Sequence, residues 1–126
     1  MKKLKILIVD DNPHFVSALT FMLMDFFADR IESITSANDG QECLNQLKKK
    51  VCDMVFMDIN MPNMNGIEAT RQSTILYRNL VVIALSFHSE MKYLVQMIEA
   101  GARSYIIKDE ISRESLEKAL SLEYSF

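Results

Sequence analysis

Short runs of apolar residues alternate along the chain with longer stretches in which apolar residues recur every three or four positions. A near-continuous apolar run is typical of a strand covered on both faces, whereas a spacing of three and four indicates one face of a helix. The runs predict strands at 4–9, 30–37, 53–58, 80–86 and 104–108. The periodic stretches predict helices at 12–27, 39–50, 67–77, 89–100 and 112–122.

Residues at the helix boundaries support several of these elements. Asn12 is a favourable cap for the first helix, and Pro13 is a favourable first residue. Gly101 suits the left-handed position that ends the fourth helix. Ser112 is the expected cap of the last helix, but Ser115 stands where a capping box has Glu or Gln, which weakens that start signal.

The order of the elements predicts the fold class. Strands that alternate with helices form a parallel sheet with helices on both faces, which is the doubly wound α/β plan. No linker, repeat or low-complexity segment divides the sequence, so we expect one domain over 1–126. In such sheets functional groups gather beyond the carboxyl ends of the strands, and the residues there are the candidates for chemistry.

Composition narrows the class of protein. With 49% apolar and 25% charged residues in 126, the chain has ordinary soluble globular composition. No apolar run approaches the roughly 18 residues of a membrane span, and the run after the basic start is too short for a secretory signal. We therefore expect a cytoplasmic protein that does not enter a membrane.

Charge and cysteine content exclude further classes. A formal net charge of −3 leaves no broad basic face, so we expect no direct binding of nucleic acid. Cys43 and Cys52 are too few for a zinc site or a disulfide framework, and both are expected to be buried thiols.

Polar and charged residues follow the apolar runs at four strand ends. The first strand ends in Asp10 and Asp11, the third in Asp58, the fourth in Ser86 and the fifth in Lys108. Adjacent like charges repel, and three carboxylates beside one ammonium leave an excess of negative charge that a divalent cation would offset. Mg²⁺ prefers oxygen ligands and often sits between carboxylates and phosphate oxygens. These residues predict a site for Mg²⁺ and a phosphoryl group.

Asp58 is the candidate nucleophile of this site. The strand ends offer neither a Ser-His-Asp nor a Cys-His arrangement, and none of the three glycines forms a phosphate-binding loop. A carboxylate can itself accept a phosphoryl group. Asp58 stands alone at a central strand, whereas Asp10 and Asp11 stand together as cation ligands.

The sequence resembles the receiver domains of two-component response regulators over nearly its whole length. Its marks are ILIVDDNP (6–13), DMVFMDINMPNMNGIE (53–68), VIALS (82–86) and GARSYIIKD (101–109). The resemblance implies a flavodoxin-like (CheY-like) sheet in strand order 2-1-3-4-5. It also implies the following roles: phosphoacceptor for Asp58, magnesium ligands for Asp10, Asp11, Asp58 and the main-chain carbonyl of Asn60, switch residues for Ser86 and Tyr105, and phosphate contact for Lys108.

The resemblance also implies a function. A receiver takes a phosphoryl group from a histidine kinase or phosphotransfer protein and changes the surface around helix 4, strand 5 and helix 5 to control an output partner. It catalyses its own phosphorylation and dephosphorylation but is not otherwise an enzyme. The motifs NMPNMNGIEAT and GARSYIIKD are most similar to those of NarL/LuxR-type receivers. We therefore expect a transcriptional regulator whose helix-turn-helix domain is absent from this chain. The chain is either part of a longer regulator or a stand-alone receiver.

Two other functions remain open at this point. A degenerate receiver would act as a binding module without phosphorylation, although the intact set of strand-end residues argues against it. An aspartyl-phosphate hydrolase of the haloacid-dehalogenase type would need a second Asp two residues after the nucleophile, where Asn60 stands after Asp58.

The sequence departs from the usual receiver pattern beside two site residues. Asp109 stands where most receivers have proline after the lysine, so we expect a trans bond there, since a cis bond without proline costs about 3 kcal/mol. Phe87 is bulkier than the usual residue after Ser86, and His88 follows it. We expect both to crowd the site and to alter the access of water.

Apolar residues outside the inward helix faces predict a partner surface. On the first helix we expect Phe15, Ala18, Leu19, Met22, Leu23 and Phe26 to face inward, and Val16, Phe21, Met24 and Phe27 to face outward. Met91, Tyr93 and Met97 widen the apolar face of the fourth helix. We expect a kinase or phosphotransfer bundle on the first helix, and an output partner or a second copy, forming a homodimer, on the fourth.

Overall fold

The computed structural model describes residues 2–122, so the first residue and the last four of the predicted domain lie outside the described residues. Five strands form one parallel sheet: β1 (Leu4–Val9), β2 (Ile31–Ala37), β3 (Met54–Asp58), β4 (Val81–Ser86) and β5 (Ser104–Ile107). Four helices connect them, and a fifth follows the last strand: α1 (Pro13–Phe27), α2 (Gly40–Lys49), α3 (Gly66–Leu76), α4 (Leu94–Ala100) and α5 (Arg113–Ser121). The strand order is β2-β1-β3-β4-β5, which confirms the predicted fold class and order.

Apolar side chains fill both sides of the sheet. One core lies under α1 and α5 and includes Leu23, Phe56 and Leu116, while the other lies under the remaining helices and includes Val55 and Met97. All residues of β3 and β4 are buried, because helices cover these central strands on both faces. The two cores hold the strand ends in fixed positions.

The inward face of α1 differs from the prediction at several positions. Leu19, Leu23 and Phe27 are the buried residues of this helix, so the stripe advances by four residues at a time. Phe26 was expected to face inward but lies near the surface, where the Arg113 guanidinium is 5.7 Å from its ring centroid. Phe27 was expected to face outward, and that prediction is wrong because its side chain is buried. Ala18 is also exposed, and Val16 packs partly against the core.

The predicted helix over 89–100 is only half formed. His88–Tyr93 is a 3-10 helix without a buried residue, and α4 begins at Leu94. The backbone N–H of Phe87 donates to Glu90 Oε1 at 2.9 Å, which tightens the turn at its start. Because a 3-10 turn contains fewer residues than an α-turn, the side chains before Leu94 are rotated relative to those after it.

Two helix boundaries behave as their residues require. Gly101 has φ 123°, a left-handed conformation, and a Cβ there would lie 2.5 Å from Thr74 Oγ1. Ser112 and Ser115 form a reciprocal capping box, since each side chain accepts a hydrogen bond from the other's backbone N–H, at 3.1 and 2.9 Å. Ser115 therefore serves in place of the usual Glu or Gln, because its hydroxyl also accepts a hydrogen bond from the Ser112 backbone N–H. The start signal at Ser112 is stronger than the sequence indicated.

The cysteines and the membrane expectation can also be compared with the fold. Cys43 is buried as predicted, whereas Cys52 is only partly buried because it lies in the loop before β3.

Within residues 2–122, no helix combines the length and the hydropathy needed to cross a bilayer.

Candidate functional site

Three carboxylates meet where β1 and β3 end. These strands pair in parallel, with Val9 opposite Met57, so the residues that follow share one edge of the sheet. One carboxylate oxygen from each of Asp10, Asp11 and Asp58 lies within 4.8 Å of the others. Asp10 is 1% exposed and Asp58 3%, whereas Asp11 is exposed. The structure thus brings together the carboxylates that the sequence predicted to converge.

Backbone contacts fix these strand ends. The backbone N–H of Asp10 donates to the Ala37 carbonyl at 3.0 Å, and Asp10 Oδ1 accepts from the backbone N–H of Asn12 at 2.9 Å. Gly66 approaches the end of β3 so closely that a Cβ there would lie 1.9 Å from the Asp58 carbonyl oxygen. Any other residue at 66 would displace the backbone that carries Asp58.

Lys108 supplies the cation of the site. Its Nζ lies 2.7 Å from Asp10 Oδ2 and 3.0 Å from Asp58 Oδ1, and its side chain is 6% exposed. The bond to Asp109 is trans, as expected, because the described residues contain no cis peptide. The lysine therefore reaches the carboxylates without the proline that is usual after it.

One ammonium shared between carboxylates sets the charge state of the site. Burial and the neighbouring Asp10 charge raise the pKa of Asp58 to about 7, although Lys108 opposes them. Burial lowers the pKa of Lys108, but the hydrogen bond from Lys108 to Asp10 and the Asp58 charge outweigh it, so that pKa is raised overall. Lys108 stays charged, and the carboxylates compete for it.

A cavity of about 440 Å³ opens above this cluster. Its lining includes Asp10, Asp11, Asp58, Asn60, Lys108, Asn12, Pro13, Phe87 and Glu90. Among the described residues, neither Ser86 nor Tyr105 lines it. Ser86 is fully buried, with its hydroxyl 3.8 Å from Met91 Sδ, and Tyr105 is 45% exposed. The predicted switch residues thus lie outside the cavity in this conformation.

The donor set fits a hard divalent cation. Asp10 Oδ2 is buried and, apart from its ion pair with Lys108, accepts no hydrogen bond within residues 2–122. Carboxylate oxygens from Asp11 and Asp58 lie close to those of Asp10. The single Lys108 ammonium cannot neutralise all three carboxylates. Oxygen ligands with excess negative charge are the coordination that Mg²⁺ prefers.

Residues 6–121 match the family described as the response regulator receiver domain. The chain belongs to this family. The resemblance stated from the sequence motifs is therefore confirmed, and the site described above lies at the strand ends of a receiver domain of two-component response regulators.

The receiver is similar to known transcriptional regulators. It is 31% identical over 120 residues to the transcriptional regulatory protein DegU of Brevibacillus brevis, an alignment that covers 95% of this chain and 50% of that protein. It is 37% identical over 112 residues to a protein-glutamate methylesterase/protein-glutamine glutaminase of Clostridium acetobutylicum, covering 87% of this chain and 32% of that protein. The chain thus spans about half the length of DegU.

Solved structures share the fold. The receiver domain of the response regulator NarL from Mycobacterium tuberculosis superposes with a TM-score of 0.87 at 22% identity, covering 100% of both chains. The receiver domain of a sensor histidine kinase from Pseudomonas aeruginosa, solved with magnesium in its active-site cleft, gives 0.82 at 24% identity, covering 98% of this chain and 99% of that one.

The predicted partner-surface residues are not all exposed. Phe21 is 70% exposed, Met24 42%, Tyr93 37% and Met91 36%. Met97 is fully buried, so its expected place on the surface is wrong. The reason is the late start of α4, which turns Met97 inward to accept a 3.9 Å contact from the Thr70 hydroxyl.

Sequence reasoning missed two residues that border the site. Phe15 was expected only as part of the helix core, yet its ring centroid lies 4.7 Å from Lys108 Nζ. Glu90 lines the cavity and accepts from the Phe87 backbone. A glutamate three residues after Phe87, the residue that follows the predicted strand, is the signal that could have indicated this cap.

Proposed function

We propose that Asp58 is the phosphoacceptor of this receiver and that phosphorylation there changes its contact with an output partner. The observation that supports this most strongly is the position of the Asp58 carboxylate. It is 3% exposed, borders the cavity, and lies beside two further carboxylates and the Lys108 ammonium. Burying a carboxylate beside others is costly, so an environment this specific favours a chemical role.

The proposed reaction is phosphoryl transfer from a phosphohistidine. An Asp58 carboxylate oxygen bonds to phosphorus while the P–N bond of the donor breaks, and the released imidazole nitrogen takes a proton from solvent. Lys108, already 3.0 Å from Asp58 Oδ1, is placed to pair with a phosphoryl oxygen. Hydrolysis later transfers the phosphoryl group to water and restores the carboxylate.

We infer that Asp10, Asp11, Asp58 and the main-chain carbonyl of Asn60 hold Mg²⁺. When bound, the ion neutralises charge on the phosphoryl oxygens. Asn60 borders the cavity beside the carboxylates, and the buried Asp10 Oδ2 lacks a hydrogen bond apart from its ion pair, which supports this assignment.

Ser86 and Tyr105 are the proposed switch residues. The Ser86 hydroxyl now contacts Met91 Sδ within the 3-10 helix before α4, so turning it towards a phosphoryl group on Asp58 would release that contact. Tyr105 lies on β5, and in this proposal its exposed ring moves inward on phosphorylation. This would alter the surface formed by α4, β5 and α5.

The partners follow from the family and its relatives. We propose a sensor histidine kinase or phosphotransfer domain as donor, and as output a partner protein or a domain such as a DNA-binding helix-turn-helix. Similarity to transcriptional regulators such as DegU supports an output in transcription. We also propose that 1–126 is one domain, that it works in the cytoplasm without itself binding nucleic acid, and that it can form a homodimer.

Two alternatives make different predictions. A degenerate receiver would bind partners without phosphorylation, and a hydrolase would turn over an external phosphoester. We propose that the chain catalyses only its own phosphorylation and dephosphorylation. The similarity to the methylesterase covers only 32% of that protein and does not transfer its activity to this chain.

Incubation with Mg²⁺ and acetyl phosphate separates these functions. The proposal predicts one base-labile phosphoryl group per chain by intact mass, and none in Asp58→Asn. Release of phosphate from many phosphoesters per chain would instead indicate a hydrolase. The absence of an adduct from the folded wild-type protein would indicate a binding module.

A further inference from the structure

Two phenylalanine rings lie against the Lys108 ammonium. The centroid of the Phe15 ring is 4.7 Å from Lys108 Nζ, and that of the Phe87 ring is 5.0 Å away. Both distances fall within the roughly 6 Å over which a cation is attracted to an aromatic face. Phe15 belongs to α1, Phe87 follows β4, and Lys108 follows β5, so three separate elements meet at this ammonium.

Each partner covers a different part of the lysine's surroundings. The Asp10 and Asp58 carboxylates form ion pairs with the ammonium, and the two rings lie against parts of it that the carboxylates do not contact. As a result, the Lys108 side chain is 6% exposed. Phe87 is itself 47% exposed and Phe15 is partly buried. One ring thus stands between the ammonium and solvent, where removing it would open the lysine to water.

The loops that carry Phe87 and Lys108 are also joined. His88 Nε2 lies 2.6 Å from Glu110 Oε2, linking the residue after Phe87 to the 3-10 helix Lys108–Glu110. The Phe87 backbone N–H donates to Glu90 Oε1, and the Glu90 backbone N–H donates to the Phe87 carbonyl, both at 2.9 Å. These bonds fix where the Phe87 side chain begins and hold it near the lysine.

We propose that Phe15 and Phe87 are positioning residues that hold the Lys108 ammonium in place for phosphoryl transfer to Asp58. They act through Lys108 and touch neither the phosphoryl group nor its donor. The inference rests on the proposed function, in which Lys108 pairs with a phosphoryl oxygen. Asp109 stands after Lys108, where most receivers have proline. In this chain the two rings restrain the position of the lysine side chain.

Substitution by leucine tests the restraint, because leucine keeps most of the apolar volume and removes the aromatic face. Phe15→Leu and Phe87→Leu should each slow phosphorylation by acetyl phosphate about three- to tenfold, the fold-change that one cation–π contact of this kind would give. Phe87→Tyr, which keeps the ring, should phosphorylate at the wild-type rate. Phe26→Leu, on the same helix as Phe15 but with its ring against Arg113 instead of Lys108, is the matched control and should have no effect.

A second background distinguishes positioning from a general effect on the fold. In Lys108→Met, the leucine substitutions should cause no additional slowing, because the group that the rings hold is gone. Slowing that persists undiminished in Lys108→Met would overturn the proposal. Wild-type rates in both leucine variants would overturn it as well.

A spectroscopic readout is independent of phosphorylation. Ring currents should shift the Lys108 ε-methylene protons upfield of those of an exposed lysine such as Lys118, and each leucine variant should reduce that shift. Unchanged shifts in folded leucine variants would contradict the placement of the rings. If the wild-type chain takes up no phosphoryl group, the proposed function fails, while these shifts still test the contact.

Discussion

Asp58 Oδ1 and Lys108 Nζ lie 3.0 Å apart, and neither side chain is more than 6% exposed. The same ammonium lies closer still, at 2.7 Å, to Asp10 Oδ2. A single cation therefore serves two buried carboxylates, and Asp58 has the weaker share of it. Burial and then the neighbouring Asp10 charge outweigh the lysine, and the pKa of Asp58 is raised to about 7.

Without metal, the folded protein should lose stability as pH rises from about 4 to about 7. The folded pKa of Asp58, about 7, exceeds the ordinary value of an aspartate side chain, so the folded state binds more protons in this window. Asp58→Asn has no such group. Between pH 5 and pH 8, the free energy of unfolding of Asp58→Asn should therefore rise relative to that of wild type by about 2 kcal/mol. Urea unfolding in a chelator measures this difference.

Titrating groups away from the site contribute equally to both proteins, so the difference between them reports on Asp58 and the groups that it contacts. Asp25→Asn, an exposed acid on α1, serves as the control and should follow the wild-type pH profile. Parallel profiles for wild type and Asp58→Asn would show that the Asp58 pKa is not raised by the fold.

Magnesium should stabilise the folded protein. A ligand at ten times its Kd adds about 1.4 kcal/mol to the free energy of unfolding, because it binds only where the carboxylates are assembled. Asp11→Asn should abolish most of this gain, since Asp11 is exposed and its loss does not disturb the core. Thermal unfolding with and without Mg²⁺ measures the effect. Equal gains in Asp11→Asn and wild type would exclude Asp11 as a ligand.

Met97 should contribute to stability rather than to a partner surface. Met97→Ala removes a fully buried side chain and should cost about 2 to 5 kcal/mol in free energy of unfolding. Met24→Ala is the same substitution at a position 42% exposed and should change stability by no more than about 0.5 kcal/mol. Denaturant unfolding compares the two, and similar costs would contradict the placement of Met97.

The two cysteines should react at very different rates. Burial raises the pKa of the Cys43 thiol to about 12, so little thiolate forms, whereas Cys52 is partly exposed. A disulfide-forming thiol reagent should modify one cysteine quickly in the native protein and the second only on unfolding. Peptide mapping should locate the fast site at Cys52. Fast modification of Cys43 would show that α2 opens readily.

The sequence predicted those features that depend on local pattern and parallel strand topology. Apolar runs located the strands, and because parallel strands end at one edge, Asp10, Asp58 and Lys108 could be expected to meet. Met97 was misplaced because the predicted continuous helix is 3-10 up to Tyr93, which changes the phase of everything after it.

Contacts between segments that are distant in the chain could not be predicted from the hydrophobic pattern of the sequence. The spacing of Phe15 in α1 marked it as a core residue, and its ring packs partly against the core while also meeting Lys108. That contact depends on how two loops and one helix converge. No periodicity encodes such a meeting, so the ring pair around the lysine emerged only from the assembled fold.

Locating the phosphoryl group in the chain tests the central claim most directly. The protein is phosphorylated with acetyl phosphate and Mg²⁺, and borohydride then reduces the acyl phosphate to homoserine, which peptide mass spectrometry can place. Our account predicts homoserine at position 58 in wild type and none in Asp58→Asn. Homoserine at Asp10 or Asp11, or undiminished labelling of Asp58→Asn, would contradict it.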